Sequence, residues 1–485
     1  MTKQTHVWLI TTDQMRADTI GFENPKVKTP VLDHLASEGT VFTSAYCASP
    51  VCTPSRASIF TGRYPHVHGA WNIGVSLNED EVTLSDHLKE SGYRTVGVGK
   101  MHFRPQCKTD FSTESEEVSY RDRGREKDGT YYGFDEHHIS EDNATGEYLD
   151  WLRAQDSAVA DRFIKNRCRT ENADGDVWES DMPAELHQTY WTAEKSIEAI
   201  QAHDPAQPLF LWTSFVDPHH PFDPPQAYAE LYANTEIDLP QEFSADELRS
   251  RPEHLLRQGD RGYWPGGGEQ HQYSSDRLSR VIRNYYAMIT FIDEQIGRVL
   301  EAWKQKGIED NLMVVFTSDH GELLGDHGLM YKGPWFYEGL TRVPMIMRVP
   351  GMTKGSRSEA LIEHVDIVPT VLEAIGNECP YGVQGISQLK VLEGSASSLR
   401  SSALTTYNAH DRGVHAKCLR TNRYKLVIFA GETYGELFDL FNDPGEHRNL
   451  FFEPAAKEVK LQLMEQLVHR LVQDEDPLPE RKTNW

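Results

Sequence analysis

The chain has 485 residues, and its 49 Lys and Arg against 74 Asp and Glu give a formal net charge of −25. With 38% hydrophobic and 25% charged residues it can bury a sizeable core, which excludes wholesale disorder. No apolar run reaches the roughly 18 residues of a membrane span. We therefore expect no membrane association. Because no basic tract offsets the acidic balance, we also expect no nucleic-acid partner.

The first ten residues contain no basic segment followed by a long apolar one, so we expect no secretory signal. The sequence therefore predicts a cytoplasmic protein, and a periplasmic or secreted one only if the chain has been trimmed. Six cysteines without framework spacing predict small buried residues rather than disulfides, with Cys52 as the exception.

Five apolar runs predict strands buried on both faces of a largely parallel sheet flanked by helices, an α/β fold. The runs are 7–10, 95–99, 209–212, 312–316 and 343–347. Apolar residues three and four apart from Ile282 to Trp303 predict an amphipathic helix that ends at Gly307. Four of the five runs end in Asp, His or Lys, which is where such sheets bind ligands.

The domain organisation follows from changes in composition. We predict a main domain over 1–375, with pocket-shaping insertions near 104–190 and 223–275. A smaller C-terminal α+β subdomain is predicted over 376–485. It would contain short antiparallel strands at 417–420 and 424–429 and a helix near 455–473.

The segment Cys52-Thr53-Pro54-Ser55-Arg56 is the most informative part of the chain. Thr53 is a suitable N-cap, Pro54 suits the first helical position, and Gly62 is a plausible C-terminal stop. Cys52 would then lie at the N-terminus of a short helix, where free N–H groups favour an anion. Arg56, one turn further, can add a bidentate contact.

Cys-x-Pro-Ser-Arg followed by Thr61-Gly62-Arg63 resembles the signature of type I sulfatases, the formylglycine-dependent branch of the alkaline phosphatase superfamily. The resemblance implies that a formylglycine-generating or equivalent enzyme converts Cys52 to formylglycine, whose hydrate is the nucleophile. It also implies an alkaline-phosphatase/sulfatase-like fold. The implied reaction is hydrolysis of a sulfate monoester to an alcohol and inorganic sulfate.

A divalent metal site is expected where two strands end in Asp13-Gln14 and Asp319-His320. By resemblance these four residues are the ligands. The common sulfatase pattern is Asp-Asp and Asp-Asn, so Gln14 and His320 depart from it and are similar to choline sulfatases and phosphonate monoester hydrolases. The neutral amide and the imidazole make the site softer, so manganese joins calcium, the family default, as an expected metal.

Further roles are implied by the resemblance. Lys100 and His102 would contact the sulfate and the nucleophile, and Lys332 the bridging ester oxygen. His219, preferred to His220, or Lys332 would protonate the departing alkoxide. Asp319 would accept the proton of the attacking hydroxyl. His102 would deprotonate the remaining hydroxyl so that sulfate is expelled.

The substrate is only weakly indicated. Asn72 is a weaker candidate for sulfate contact, and Trp71 is one of several aromatic residues near the motifs that either contact substrate or belong to the core. We expect a sulfated sugar, on family frequency, or another small sulfate ester. The negative charge of the chain disfavours a long polyanion.

Three alternatives remain. One is a phosphonate monoester or phosphodiester hydrolase with the same nucleophile. Another is an inactive binder of sulfated glycans, disfavoured because Cys52, Arg56 and both lysines are present. A plain metallophosphatase with Cys52 as a bystander is the third. Homo-oligomerisation is left open.

Overall fold

The computed structural model describes residues 5–105, 130–142, 146–167, 176–241, 274–352 and 354–475. Its centre is an eight-stranded sheet with strand order β4-β3-β5-β1-β6-β7-β2-β8. The strands are β1 (His6–Thr12), β2 (Thr40–Tyr46), β3 (Arg94–Gly99), β4 (Glu136–Ile139), β5 (Leu209–Ser214), β6 (Leu312–Ser318), β7 (Met345–Arg348) and β8 (Ser356–Glu363).

The sheet is largely parallel, as predicted, with β7 as the exception. β7 pairs antiparallel with both β6 and β2, and the remaining neighbours run parallel. Each of the five apolar runs forms a strand, but the run at 343–347 begins only at Met345. Hydrophobicity indicates that a strand is buried and carries no information on its direction.

The central strand β1 is buried on both faces. Trp8 and Ile10 pack into one core cluster, and Val7 and Leu9 into another on the opposite face. This alternation follows from the two-residue period of a strand, and it requires helices on both sides of the sheet.

Helices cover both faces. The α-helices of the described residues are Pro30–Glu38, Cys52–Thr61, Pro65–His68, Leu84–Glu90, Glu147–Gln155, Ser157–Arg167, Gln188–Ala202, Gln226–Glu230, Ser275–Gln305, Glu338–Thr341, Ile367–Ala374, Leu389–Leu392 and Lys457–Gln473. The helix predicted from Ile282 to Trp303 is the central part of Ser275–Gln305. None of the described helices is long and apolar enough to cross a bilayer.

A second, four-stranded antiparallel sheet follows the large one, in the order β12-β11-β10-β9. Its strands are β9 (Ser402–Ala409), β10 (Val414–Thr421), β11 (Tyr424–Phe429) and β12 (Gly435–Asp439). Leu463 and Leu467 of the last helix pack against apolar residues of this sheet. The two predicted C-terminal strands and the predicted helix correspond to β10, β11 and Lys457–Gln473.

Two observations bear on the predicted domain limits. Val391 and Leu392, inside the predicted C-terminal subdomain, pack into the core cluster that contains Val7 of β1. The insertion predicted near 104–190 contributes β4, one of the two edge strands of the large sheet. Residues 106–129, 143–145 and 168–175 of that insertion, and 242–273 of the one near 223–275, lie outside the described residues.

Candidate active site

The site forms where parallel strands end at one edge of the large sheet. Asp13 follows the last residue of β1, Lys100 follows β3, and Asp319 follows β6. The strands β3, β5, β1 and β6 are adjacent and parallel, so these side chains converge although they lie far apart in sequence.

The helix Cys52–Thr61 positions the candidate nucleophile against this edge. All ten of its residues are buried. It begins at Cys52 with Val51 as the N-cap, so the predicted cap at Thr53 is wrong. Pro54 is the third helical residue, a position in the first turn where its missing N–H costs no helical hydrogen bond. Gly62 ends the helix with a left-handed φ of 64°, as the sequence indicated.

Cys52 Sγ lies among the predicted site residues. It is 2.7 Å from Lys332 Nζ, 3.3 Å from His320 Nε2, 3.9 Å from Asp13 Oδ1 and 4.0 Å from Lys100 Nζ. Burial, and after it the Asp13 carboxylate, raise the pKa of the Cys52 thiol to about 12. The unmodified sulfur in this structure is therefore a neutral thiol rather than an activated thiolate.

Arg56 joins the two strand-end carboxylates from within the same helix. Its Nε donates to Asp319 Oδ2 at 2.8 Å, and its Nη2 lies 3.4 Å from Asp13 Oδ2. Burial alone would raise the pKa of Asp13, but Lys100 and Lys332 outweigh it and hold that pKa well below its usual range. Burial lowers the pKa of both lysines, but the pKa of each lies above its usual value, because Asp13 and Asp142 outweigh burial at Lys100, and Cys52 followed by Asp13 outweighs it at Lys332. The centre of the site thus consists of two carboxylates, Asp13 and Asp319, surrounded by the positive charges of Arg56 and the two lysines.

Donor atoms suited to a divalent cation lie together in this cluster. One ligand atom each from Asp13, Cys52, Asp319 and His320 lie within 4.8 Å of one another. His320 Nδ1 lies 2.8 Å from the Gly321 carbonyl oxygen, which places its proton there and leaves a lone pair at Nε2.

The contacts of Gln14 are an independent test of whether the site suits a divalent metal. Its Nε2 donates to Glu322 and contacts His220 Nδ1 at 3.2 Å, whereas its buried Oε1 has no hydrogen-bond partner among the described residues. Its φ is 67°, a conformation that costs a non-glycine residue free energy. The Gln14 amide oxygen thus has no partner, and the residue lies on a strained backbone beside the donors Asp13, Asp319 and His320. These properties fit a metal ligand.

The two adjacent histidines, His219 and His220, have different contacts in the structure. His219 Nδ1 contacts the His220 carbonyl oxygen at 2.5 Å, and its Nε2 lies 3.9 Å from Asp142 Oδ2. Lys100 Nζ donates to the same Asp142 carboxylate. His219 is therefore the residue beside the lysine, whereas His220 packs against Gln14. Burial, followed by Lys332, lowers the pKa of His219 to about 3, so its imidazole is neutral here.

The predicted substrate residues Trp71 and Asn72 do not contact this cluster. Asn72 Nδ2 donates to the Asn408 carbonyl oxygen at 2.7 Å, and the Trp71 ring packs edge-on against His410 at 4.4 Å. Both residues thus contact the end of β9, and their substrate role stays a prediction. Four further aromatic residues that lie near the motifs in sequence are buried in core clusters: Phe103, Phe222, Trp335 and Phe336.

Sequence reasoning missed several polar partners of the site. Asp142 follows β4, a strand whose sequence Glu-His-His-Ile shows too few apolar residues to be recognised. Ser214, the last residue of β5, accepts from Arg56 Nη1 at 2.8 Å. Glu322, three residues after Asp319, holds the Gln14 amide. The proximity of Glu322 to the strand end was a signal that could have identified it.

The chain is similar to known proteins in sequence and in fold. A family model described as "Sulfatase" matches residues 5–377, and one described as "N-sulphoglucosamine sulphohydrolase, C-terminal" matches 325–473. An arylsulfatase of Clostridium perfringens is 32% identical, over 93% of this chain and 91% of the relative. An N-acetylglucosamine-6-O-sulfatase of Bacteroides thetaiotaomicron is 27% identical, over 98% and 88%. The crystal structure of a phosphonate monoester hydrolase of Agrobacterium radiobacter superposes with a TM-score of 0.82 at 25% identity, covering 98% of this chain and 97% of that one.

Proposed function

Since the chain belongs to the sulfatase family of sulfuric ester hydrolases, we propose that it hydrolyses the sulfate monoester of a sulfated sugar or of another small alcohol. The observation that carries the proposal is the convergence of Lys332, Lys100 and Arg56 on Cys52 and its carboxylate neighbours. A sulfate ester is an anion that repels nucleophiles, and fixed positive charge offsets that repulsion.

Two groups complete the proposed site. Formylglycine made from Cys52 would supply, in its hydrated form, one hydroxyl as the nucleophile. Its second hydroxyl would allow sulfate to be expelled and the aldehyde to be regenerated. A divalent metal supplies Lewis acidity and positive charge, and Asp13, Gln14, Asp319 and His320 are the residues we propose to hold it. Oxygen donors suit calcium, and the His320 nitrogen makes manganese an equal candidate.

The residues of the chain orient the reactants and move the protons. Arg56 keeps Asp13 and Asp319 apart at a fixed geometry. Asp319 Oδ1 accepts the backbone N–H groups of Gln14 and His320, at 3.1 and 2.9 Å, and its Oδ2 accepts from Arg56. Asp13 is also paired with cations, but its Oδ1 has only looser contacts, with His320 Nε2 at 3.7 Å, Lys332 Nζ at 3.8 Å and Cys52 Sγ at 3.9 Å. We therefore propose that this oxygen accepts the proton of the attacking hydroxyl. This differs from the role the resemblance implied for Asp319.

The leaving group needs a proton donor. The pKa of Lys332 lies above its usual value, so this lysine carries a proton, whereas the imidazole of His219 is neutral in this structure. We therefore favour Lys332 over His219 as the group that protonates the departing alkoxide.

The experiment is substitution of Cys52 together with mass spectrometry of the peptide that contains it. Cys52→Ala should remove nearly all turnover, and Cys52→Ser should leave at most a slow or single-turnover enzyme. Cys379→Ala, at an exposed free cysteine, is the matched control and should keep wild-type activity. Conversion makes the peptide about 18 Da lighter, from the replacement of a thiol by an aldehyde. Full turnover by either Cys52 variant would sink the formylglycine mechanism.

A second candidate is phosphonate monoester hydrolysis at the same site. It is favoured by the superposition on the Agrobacterium enzyme and by Gln14 and His320 among the proposed metal ligands. Rates on a sulfate, a phosphate diester and a phosphonate ester of one phenol leaving group separate the two activities. Elemental analysis of the purified protein would distinguish calcium from manganese.

A further inference from the structure

Glu141 is a fully buried carboxylate that the proposed chemistry does not use directly. It lies two residues after β4 and faces the turn that follows β3. Its Oε1 accepts the backbone N–H groups of Met101 and His102, at 3.2 and 3.1 Å. His102 has a φ of 57°, so this one oxygen holds the turn at a residue whose backbone is strained.

The second oxygen of Glu141 faces the imidazole of His102. Oε2 lies 3.3 Å from His102 Nδ1. The contact is at ion-pair distance without hydrogen-bond alignment, and among the described residues neither ring nitrogen nor this oxygen has a hydrogen-bond partner. His102 is 3% exposed, so water does not compete for the ring. A carboxylate only accepts, so it favours the tautomer with the proton on Nδ1 and the lone pair on Nε2.

Glu141, Asp142 and His102 offer ligand atoms close enough to hold a cation. The Asp142 carboxylate, however, already accepts from Lys100 Nζ. The ammonium group supplies the positive charge that a metal would bring, so the arrangement fits a carboxylate–imidazole pair better than a second metal centre.

We propose that Glu141 is the positioning residue that makes His102 a base, by holding its turn and fixing its tautomer. The proposal rests on the proposed function. In the step concerned, the hydroxyl that remains on residue 52 after sulfur transfer gives its proton to His102 Nε2. The oxygen's electron pair forms the aldehyde C=O bond, and the carbon–oxygen bond to sulfate breaks, with sulfate keeping the pair. The imidazolium then returns its proton to water.

Glu141→Gln tests the tautomer with little change in shape. The glutamine oxygen can keep both backbone N–H groups, which turns its NH₂ group towards His102 Nδ1. Nδ1 must then accept, and the proton moves to Nε2. ¹⁵N spectra of histidine-labelled protein with Cys52 unconverted, assigned with His102→Gln, should show Nδ1–H in the wild type and Nε2–H in Glu141→Gln. The same tautomer in both proteins would overturn the proposal.

Kinetics supply the second readout. Because His102 would act after the alcohol has left, Glu141→Gln should lower kcat by about 100-fold, the size of a lost general base, while kcat/KM stays within about threefold. The alcohol should appear in a burst of about one equivalent per active site. His102→Gln/Glu141→Gln should lose no more than His102→Gln alone.

Asp135→Asn is the matched control. Asp135 also ties β3 to β4, by accepting the Thr95 N–H at 3.2 Å, but it lies at the opposite end of these strands. It should leave the His102 tautomer and the burst unchanged. A proportional fall of kcat and kcat/KM in Glu141→Gln, without a burst, would mean a structural role only and would overturn the proposal. Absence of sulfate-ester turnover in the wild type would instead contradict the proposed function, and the spectra would still decide the tautomer.

Discussion

Arg56 is fully buried and contacts groups from four segments of the chain. Besides Asp319 and Asp13, its Nη1 donates to the Lys100 carbonyl oxygen and to Ser214 Oγ, each at 2.8 Å. These partners follow or end β6, β1, β3 and β5. The planar guanidinium has the several fixed donors that this arrangement needs, and a lysine ammonium does not reproduce them.

Arg56→Lys should therefore lower kcat/KM for a sulfate ester by at least 100-fold. It should also destabilise the fold by about 3 kcal/mol, because buried carboxylates lose partners. Steady-state kinetics and urea unfolding measure the two effects. Arg280→Lys, at a half-exposed pair with Glu179, is the control and should change stability by less than about 1 kcal/mol. Activity of Arg56→Lys within threefold of wild type would contradict the role given to the guanidinium.

At the scale of elements, the helix Pro30–Glu38 begins without a side-chain cap of its own. Asp293, from the middle of the helix Ser275–Gln305, accepts the N–H groups of Val31 and Leu32 at 3.0 and 2.8 Å. One helix thus caps another. Burial raises the pKa of Asp293 to about 7, although these two N–H groups lower it.

The raised pKa of Asp293 predicts a pH dependence of stability. Between pH 3.8, the usual pKa of an aspartate side chain, and about pH 7, the folded state keeps a proton on Asp293 that the unfolded state has released. The free energy of unfolding therefore falls as pH rises through this interval. Relative to Asp293→Asn, which does not titrate there, the wild type should lose about 2 kcal/mol between pH 5.5 and 7.5. Urea unfolding at both pH values measures this difference, and a pH-independent difference would contradict it.

At the scale of the whole molecule, a buried ionic network joins the large sheet to the C-terminal part. Glu363, at the end of β8, contacts Arg400 Nη1 at 2.5 Å and Arg470 Nη2 at 2.7 Å, and accepts the Leu404 N–H at 2.6 Å. Arg470 belongs to the last helix and Leu404 to β9. Both arginines pair with one carboxylate, so the two parts of the fold depend on each other.

Glu363→Gln should destabilise the protein by about 3 kcal/mol, because two buried cations lose a charge partner. Hydrogen exchange should accelerate more in Lys457–Gln473 than in β1. Glu453→Gln, at an exposed pair with Arg448, is the control and should leave exchange unchanged. Equal acceleration in both regions would show that the network does not act locally at this junction.

The net charge of −25 is opposed locally by Arg56, Lys100 and Lys332. Because these charges lie inside the site, they attract a small anion, while the acidic surface repels a long polyanion. A small sulfate ester is thus the substrate class we propose. Comparing rates on a sulfated monosaccharide and on a long sulfated chain of the same linkage tests this point.

The buried strands, the position of the site and the resemblance to sulfatases could be predicted from the sequence alone. Buried strands show as unbroken apolar runs because both faces of the sheet are covered, and their polar ends locate the site because parallel strands end at one edge. The segment from Cys52 to Arg63 is local, so its resemblance to sulfatases was readable without a fold. Two features could not be predicted from the sequence. One is the antiparallel direction of β7, and the other is the strand β4, which has too few apolar residues to be recognised.

Tertiary structure decided what depends on contacts between distant residues. It shows that His219, rather than His220, shares the Asp142 carboxylate with Lys100. It shows that Asn72 contacts β9 and that Trp71 packs against His410, just after that strand. It also shows that Glu141 lies next to the imidazole of His102. Apolar periodicity reports that a residue is buried, whereas the partner of a buried polar group is set by which strands become neighbours. That order of strands is a property of the whole chain.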